Sequence, residues 1–178
     1  MTAAGTHVDA PDFEQAVLHH QPRIFRFALA SLRDRDAAET VTQDCLLRAH
    51  KAWPEFRGEA SVHTWLMQIA VNLVRDAARS RRFQFWKRAD MSDADAAAWI
   101  PDPALSPEAR ALARQQIEAI WSELGSLPER QRTVFLLHFV EEMTGPEIEA
   151  ATGISKAAVK VHLFRAVHKL REKLGDKR

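Results

Sequence analysis

Thr144–Leu174 reads TGPEIEAATGISKAAVKVHLFRAVHKLREKL. Thr144 with Glu147 three residues later is a capping box, the local signature of a helix start. Ile148 and Ala151 fall on one side of that short helix, Gly153 supplies a turn, and Ser155 caps a second helix. In the second helix Val159, Leu163, Ala166 and Leu170 recur at spacings of 4, 3 and 4, one apolar stripe. A short helix, a glycine turn and a longer basic helix make a helix-turn-helix. Ser155, Lys156, Lys160, Val161, Phe164 and Arg165 lie off the stripe or at its margin. Lysine and arginine reach guanine edges or phosphates, and Val161 has the shape to pack on a thymine methyl. A plain helical hairpin with a basic outer face shares the pattern, but cap, turn and cap in this order favour DNA.

Outward from this segment the chain stays helical. Period-two alternation is absent, and the Ala, Leu, Arg and Glu content favours helix. Phe13, Val17 and Leu18, then Ile24, Phe25, Ala28 and Leu32, predict a helix kinked or restarted at Pro22. Asp34 to about Trp53 carries Ala38, Val41, Cys45, Ala49 and Trp53 on one face and stops at Pro54. A third helix is expected from about Ser61 to Arg81. Ser106-Pro107 starts another, with Leu112, Ile117, Ile120, Trp121 and Leu124 as its apolar face and Gly125 as its end. Pro128 opens the helix LPERQRTVFLLHFV. Between the two groups, residues 86–107 lose periodicity and gain Asp, Ala and Pro, which reads as a linker. The expectation is an all-α chain of two small helical domains on a flexible linker. Its parts are a tail at 1–12, a bundle at 13–85 and a helix-turn-helix domain at 108–175.

The composition excludes several function classes. With 46% hydrophobic and 28% charged residues the chain is globular, and no apolar run is long enough for membrane insertion. One cysteine excludes an intrachain disulfide and, with no signal peptide visible, points to the cytoplasm. Cys45 sits on an apolar stripe, as a core residue does. Gly-rich phosphate loop, HExxH, CxxC and nucleophile elbow are all missing, so neither an enzyme nor a cofactor is expected. His19 and His20 are adjacent and His162 and His168 six apart, spacings that do not build a metal site.

Net charge is only +1, yet it is segregated. Residues 75–88 and the segment from 155 onward are basic, whereas Glu118–Glu149 is predominantly acidic. Two basic zones suggest two polyanion contacts. The first adjoins Phe56–Asn72, FRGEASVHTWLMQIAVN. On a helical wheel Val62, Trp65, Ile69, Leu73 and Ala77 form one face. Thr64, Gln68, Asn72, Arg75 and Arg79 lie broadly opposite. Amides and hydroxyls hydrogen-bond base edges and arginines hold phosphates. The loop before it, with Phe56, Arg57, Gly58 and Ser61, suits an unstacked base of single-stranded nucleic acid.

AETVTQDCLLRAHKAWPEFRGEASVHTWLMQIAVNLVRDAARSRR resembles region 2 of the extracytoplasmic-function sigma factors, the minimal group of the sigma-70 family of bacterial RNA polymerase subunits. LGSLPERQRTVFLLHFVEEMTGPEIEAATGISKAAVKVHLFRAVHKLREKL resembles their region 4. The resemblance implies a sigma factor that binds core polymerase and reads the −10 and −35 promoter elements. It assigns Glu39, Gln43, Asp44 and Arg48 to the clamp helices of the largest polymerase subunit, and the second domain to the flap of the second largest. It assigns the loop from Phe56 to Val62 to a flipped −10 base, Asn72 to promoter contact, and Lys160, Val161, Phe164 and Arg165 to the −35 element. It further implies an anti-sigma factor as partner. Thr40, His50, Val62, His63, Val161 and His162 depart from the residues usual in the family; the first two bear on core docking, and the changes together bear on promoter sequence more than on function class. A linker of about 25 residues at roughly 3.3 Å each reaches about 80 Å, enough for two duplex turns of about 70 Å. A helix-turn-helix regulator, or a helical sigma mimic that binds an anti-sigma factor, is the alternative.

Overall fold

The computed structural model describes residues 12–80 and 106–175; residues 86–105 of the expected linker, its aspartates and the basic run beyond Ser80 lie outside them, and its last two residues, Ser106 and Pro107, instead cap and open a helix. Among the described residues the regular elements are seven α-helices and one short 3-10 turn, with no strand. They are α1 (Phe13–Leu32), α2 (Arg35–Ala52), the turn Trp53–Glu55, α3 (Val62–Arg79), α4 (Pro107–Gly125), α5 (Glu129–Phe139), α6 (Gly145–Thr152) and α7 (Lys156–Gly175).

Local chemistry sets the boundaries. Asp34 Oδ1 accepts the Ala37 N–H at 2.8 Å to start α2, and Ser61 Oγ accepts that of Thr64 at 3.0 Å to start α3. Ser106 does the same for α4, followed by Pro107 as expected. Helix α1 runs unbroken through Pro22. Pro22 and Leu18, whose carbonyl loses its helical donor, are both exposed, so solvent supplies the missing bond without a break. Arg33 ends α1 in the left-handed region, its N–H donating to Leu29 O at 2.8 Å.

Helices α1–α3 form the first unit. Ile24, Phe27 and Ala28 of α1 meet Ala38, Val41, Cys45 and Ala49 of α2 and Leu66, Ala70 and Leu73 of α3, all buried. The small α2 residues let the helix axes approach closely. Burial pushes the Cys45 thiol up to about 12, so it stays protonated, and its Sγ lies 3.6 Å from Leu66 O as a core group. The centre of the buried α3 face is displaced from the expected one. Leu66, Met67, Ala70, Val71, Leu73 and Val74 are buried, whereas Val62, Trp65, Ile69 and Ala77 are only half-buried. Two surfaces, not one, pack on this helix.

Helices α4–α7 form the second unit around Trp121, Leu124, Val134, Leu137, Ile148, Ala151, Val159, Ala166 and Leu170. Gly153 holds φ 70° in the turn of the helix-turn-helix, where only glycine is at ease, and its N–H donates to Glu149 O at 2.8 Å. Ser155 Oγ accepts from Ala158 N–H at 3.4 Å. Helix α4 corrects an expectation: Leu112 is 57% exposed and Ile120 39%, and only Trp121 and Leu124 are buried. Its buried residues both lie in its last turns, near α7, which it contacts.

Glu147 Oε2 accepts from both the Thr144 N–H at 2.8 Å and the Thr144 hydroxyl at 2.6 Å, which hold the carboxyl below its ordinary range. Replacing Thr144 by alanine removes one of these bonds from the start of α6. The expected loss is about 1 kcal/mol of stability, read as a lower urea midpoint with an unchanged slope.

Candidate nucleic-acid interface

Three surfaces carry the candidate residues. The first surrounds the start of α3. Trp53 and Phe56 stack at 5.5 Å and 13°, and Trp65 closes on Phe56 at 5.0 Å and on Trp53 at 5.9 Å. Phe13 adds an edge contact to Trp53 at 5.2 Å, tying the group to α1. This aromatic group braces the loop that turns at Gly58, φ 71°. Beside it opens a cavity of about 400 Å³, lined by Glu55, Phe56, Arg57, Glu59, Trp65 and Gln68. Aromatic faces with an arginine and an amide at one mouth can stack a base and bond its edge. Trp65 and Trp53 were missed as site residues, because an aromatic on an apolar wheel face reads as core; three aromatics at 53, 56 and 65 flanking a glycine loop were the available signal.

Along α3, Gln68, Asn72 and Arg79 are exposed on the outer face, as expected. Ser61 is exposed, but its hydroxyl is engaged as the helix cap. Thr64 does not join them. It is 3% exposed, bonded to Ser61 and lying 3.5 Å from Glu147 Oε1 of the second unit. Arg75 is half-buried with its Nε 3.9 Å from Glu129 Oε1. The wheel groups residues on one helix and carries no information on what another domain brings.

The second surface is the outer face of α7. Ser155, Lys156, Lys160, Val161, Phe164 and Arg165 are all exposed. Phe164, 72% exposed, stacks on His168 at 6.0 Å. Burial, then Arg130 and Arg165, lower the pKa of the neighbouring His162, favouring its neutral form.

The third surface is α2. Glu39, Gln43, Asp44 and Arg48 are exposed together, and Leu47, 60% exposed, stands among them. Leu47 was not singled out, although it lies off the apolar stripe, which marks it as an outward leucine. A cavity of about 650 Å³ lined by Asp36, Thr40, Asp44, Arg48, Leu73 and Asp76 adjoins this face. Among the described residues no cluster of His, Cys, Asp and Glu has metal-ligating geometry, and no helix is long and apolar enough to cross a membrane.

Two family models match, sigma-70 region 2 over residues 16–84 and sigma-70 region 4 over residues 117–170. An RNA polymerase sigma-H factor of Pseudomonas aeruginosa is 32% identical over 165 residues, covering 89% of this chain and 83% of that protein. A probable RNA polymerase sigma factor RfaY of Xanthomonas campestris is 34% identical over 156 residues, covering 86% of this chain but 38% of that protein's length. Among solved structures, CnrH in complex with the cytosolic domain of CnrY aligns with a TM-score of 0.65 at 25% identity, covering 93% of this chain and 89% of that one.

Proposed function

Because this chain belongs to the sigma-70 family of RNA polymerase subunits, we propose that it binds core polymerase and directs transcription initiation from promoters with −10 and −35 elements. One observation carries the reading. An exposed basic recognition helix and an aromatic-walled cavity for an unstacked base occur in the same chain, on separate helical units. A duplex regulator needs only the former.

In this reading α7 presents Lys160, Val161, Phe164 and Arg165 to the −35 duplex. Phe56, Arg57 and Trp65 receive a −10 base, and Gln68, Asn72 and Arg79 follow the strand. Stacking contributes about 1–3 kcal/mol per base against roughly 1.4 kcal/mol per melted step, so a few captured bases offset local opening. Glu39, Gln43, Asp44, Leu47 and Arg48 dock on the clamp helices, and the second unit on the flap. The protein performs no reaction of its own and works in the cytoplasm. An anti-sigma factor restrains it by covering these faces; the similar CnrH has been solved with the cytosolic domain of CnrY.

The test is transcription in vitro by purified core polymerase on a fragmented genomic library, mapping RNA 5′ ends with and without the protein. Dependent starts sharing two spaced upstream motifs are expected. Their absence, with core active under another sigma factor, refutes the reading.

A further inference from the structure

Two of the exposed side chains on α7 are apolar. Val161 is 46% exposed and Phe164 72%, and neither belongs to the apolar cluster that Val159, Ala166 and Leu170 join. They stand one turn apart on the outer face, with the exposed cations Lys160 and Arg165 beside them in the chain. Single exposed apolar residues are ordinary. A pair set among the cations of a DNA-facing helix is different, because it enters the groove with that helix and meets whatever lies there.

Phe164 is also held in place. Its ring lies parallel to that of His168, with 6.0 Å between centroids and 3° between planes. The Nε2 of His168 is 3.3 Å from Oε1 of Glu172, one further turn along. Phe164, His168 and Glu172 thus form a ladder up one side of the helix. An exposed phenylalanine without a neighbour samples several rotamers, and fixing one of them on binding costs affinity. The stack fixes the ring before DNA arrives.

The chemistry of the major groove limits what Phe164 can meet. Base edges there present donors and acceptors, and the one apolar group among them is the C5 methyl of thymine. Three residues, at a rise of about 1.5 Å each, separate Val161 and Phe164 by about 4.5 Å along the helix. A base step is about 3.4 Å, so the two side chains span neighbouring base pairs.

We propose that Val161 and Phe164 are a methyl-reading pair that selects thymines at neighbouring base pairs of the −35 element, with His168 as the residue that positions the Phe164 ring. The inference rests on the promoter reading of α7 and adds which bases that helix requires. Lys160 and Arg165 supply affinity through phosphates or guanine edges. The apolar pair supplies a preference that neither cation can, because only thymine carries the methyl.

The test replaces thymine by uracil, which removes the methyl and leaves every hydrogen-bonding group in place. Random duplex libraries copied with thymidine or deoxyuridine triphosphate are bound to the full chain, alone and mixed with core polymerase, and the retained sequences are read. The thymidine library should yield sequences sharing two thymines on neighbouring base pairs, on either strand. Uracil at either position of a selected duplex should weaken binding about fourfold, the effect of one buried methyl. Phe164→Ser should abolish the preference for thymine over uracil at one position, and Val161→Ser at the other. His168→Ala should reduce the Phe164-dependent preference alone, and His168→Phe, which keeps a ring to stack on, should restore it. A ratio unchanged in His168→Ala overturns the positioning role. All three positions are exposed, and circular dichroism checks that helicity is kept. Equal binding of thymine and uracil duplexes overturns the proposal, as does a preference that survives both serine substitutions. So does the retention of no common sequence by the chain alone and with core alike. The sigma assignment is judged separately, by dependent starts in the transcription assay. A thymine preference shown by the chain alone, without such starts, would keep the methyl reading and refute the polymerase one.

Discussion

Phe27→Ala is expected to leave the first helical unit largely unfolded. Phe27 is wholly buried where α1 meets its neighbours in the core, beside Ile24 and Ala28. Truncating a buried phenylalanine costs about 3–5 kcal/mol, from the forfeited transfer energy and from the cavity left behind. A domain of this size holds roughly 5–15 kcal/mol in total, so the loss removes much or all of the margin. A urea titration followed by circular dichroism should show a low or missing midpoint, while Phe27→Leu retains most of the transition. A midpoint for Phe27→Ala within experimental error of the unsubstituted chain would mean that α1 does not pack as described.

The second large effect concerns DNA. Lys160 and Arg165 are exposed on the outer face of α7, away from the buried Val159, Ala166 and Leu170. Replacing both by glutamine keeps a polar side chain at each position and removes two charges. If each meets a phosphate or a guanine, the pair contributes about 2–4 kcal/mol, so promoter-dependent starts should fall on the order of 100-fold. The dependence of binding on salt should weaken as well, by about 0.9 in log–log slope for each phosphate left without its cationic partner. Helicity and the urea midpoint should stay near those of the unsubstituted chain, since neither residue is buried. Normal initiation by the double variant would remove α7 from the promoter and leave the sigma-mimic reading as the better one.

The local grammar of this chain was legible in its sequence. Asp34, Ser61, Ser106, Thr144 with Glu147, Gly153 and Ser155 each mark a boundary that the structure has, because a cap uses only atoms within a few residues of itself. The outer face of α7 was legible for the same reason: Val159, Ala166 and Leu170 are buried, Leu163 is half-buried against the core, and Lys156, Lys160, Val161, Phe164 and Arg165 face out. Of the two readings at Pro22, a kink or a restart, the restart does not occur, since a proline on an exposed side of a long helix need not break it.

What tertiary structure decided lies where two units meet. Thr64 belongs by periodicity to an open polar face and is buried instead, because α6 packs on α3 beside the first core, with Glu147 against Thr64. Leu112 belongs to an apolar stripe and is exposed, whereas Trp121 and Leu124 further along the same helix are buried. Arg23 and Glu141 stand 118 positions apart, and no spacing rule relates them. Helix periods and caps are short-range consequences of backbone geometry, so the sequence by itself determined the helices, their ends and the family they form. Which of their surfaces stay open to DNA depends on contacts between residues far apart in the chain, and only the packed structure contains those.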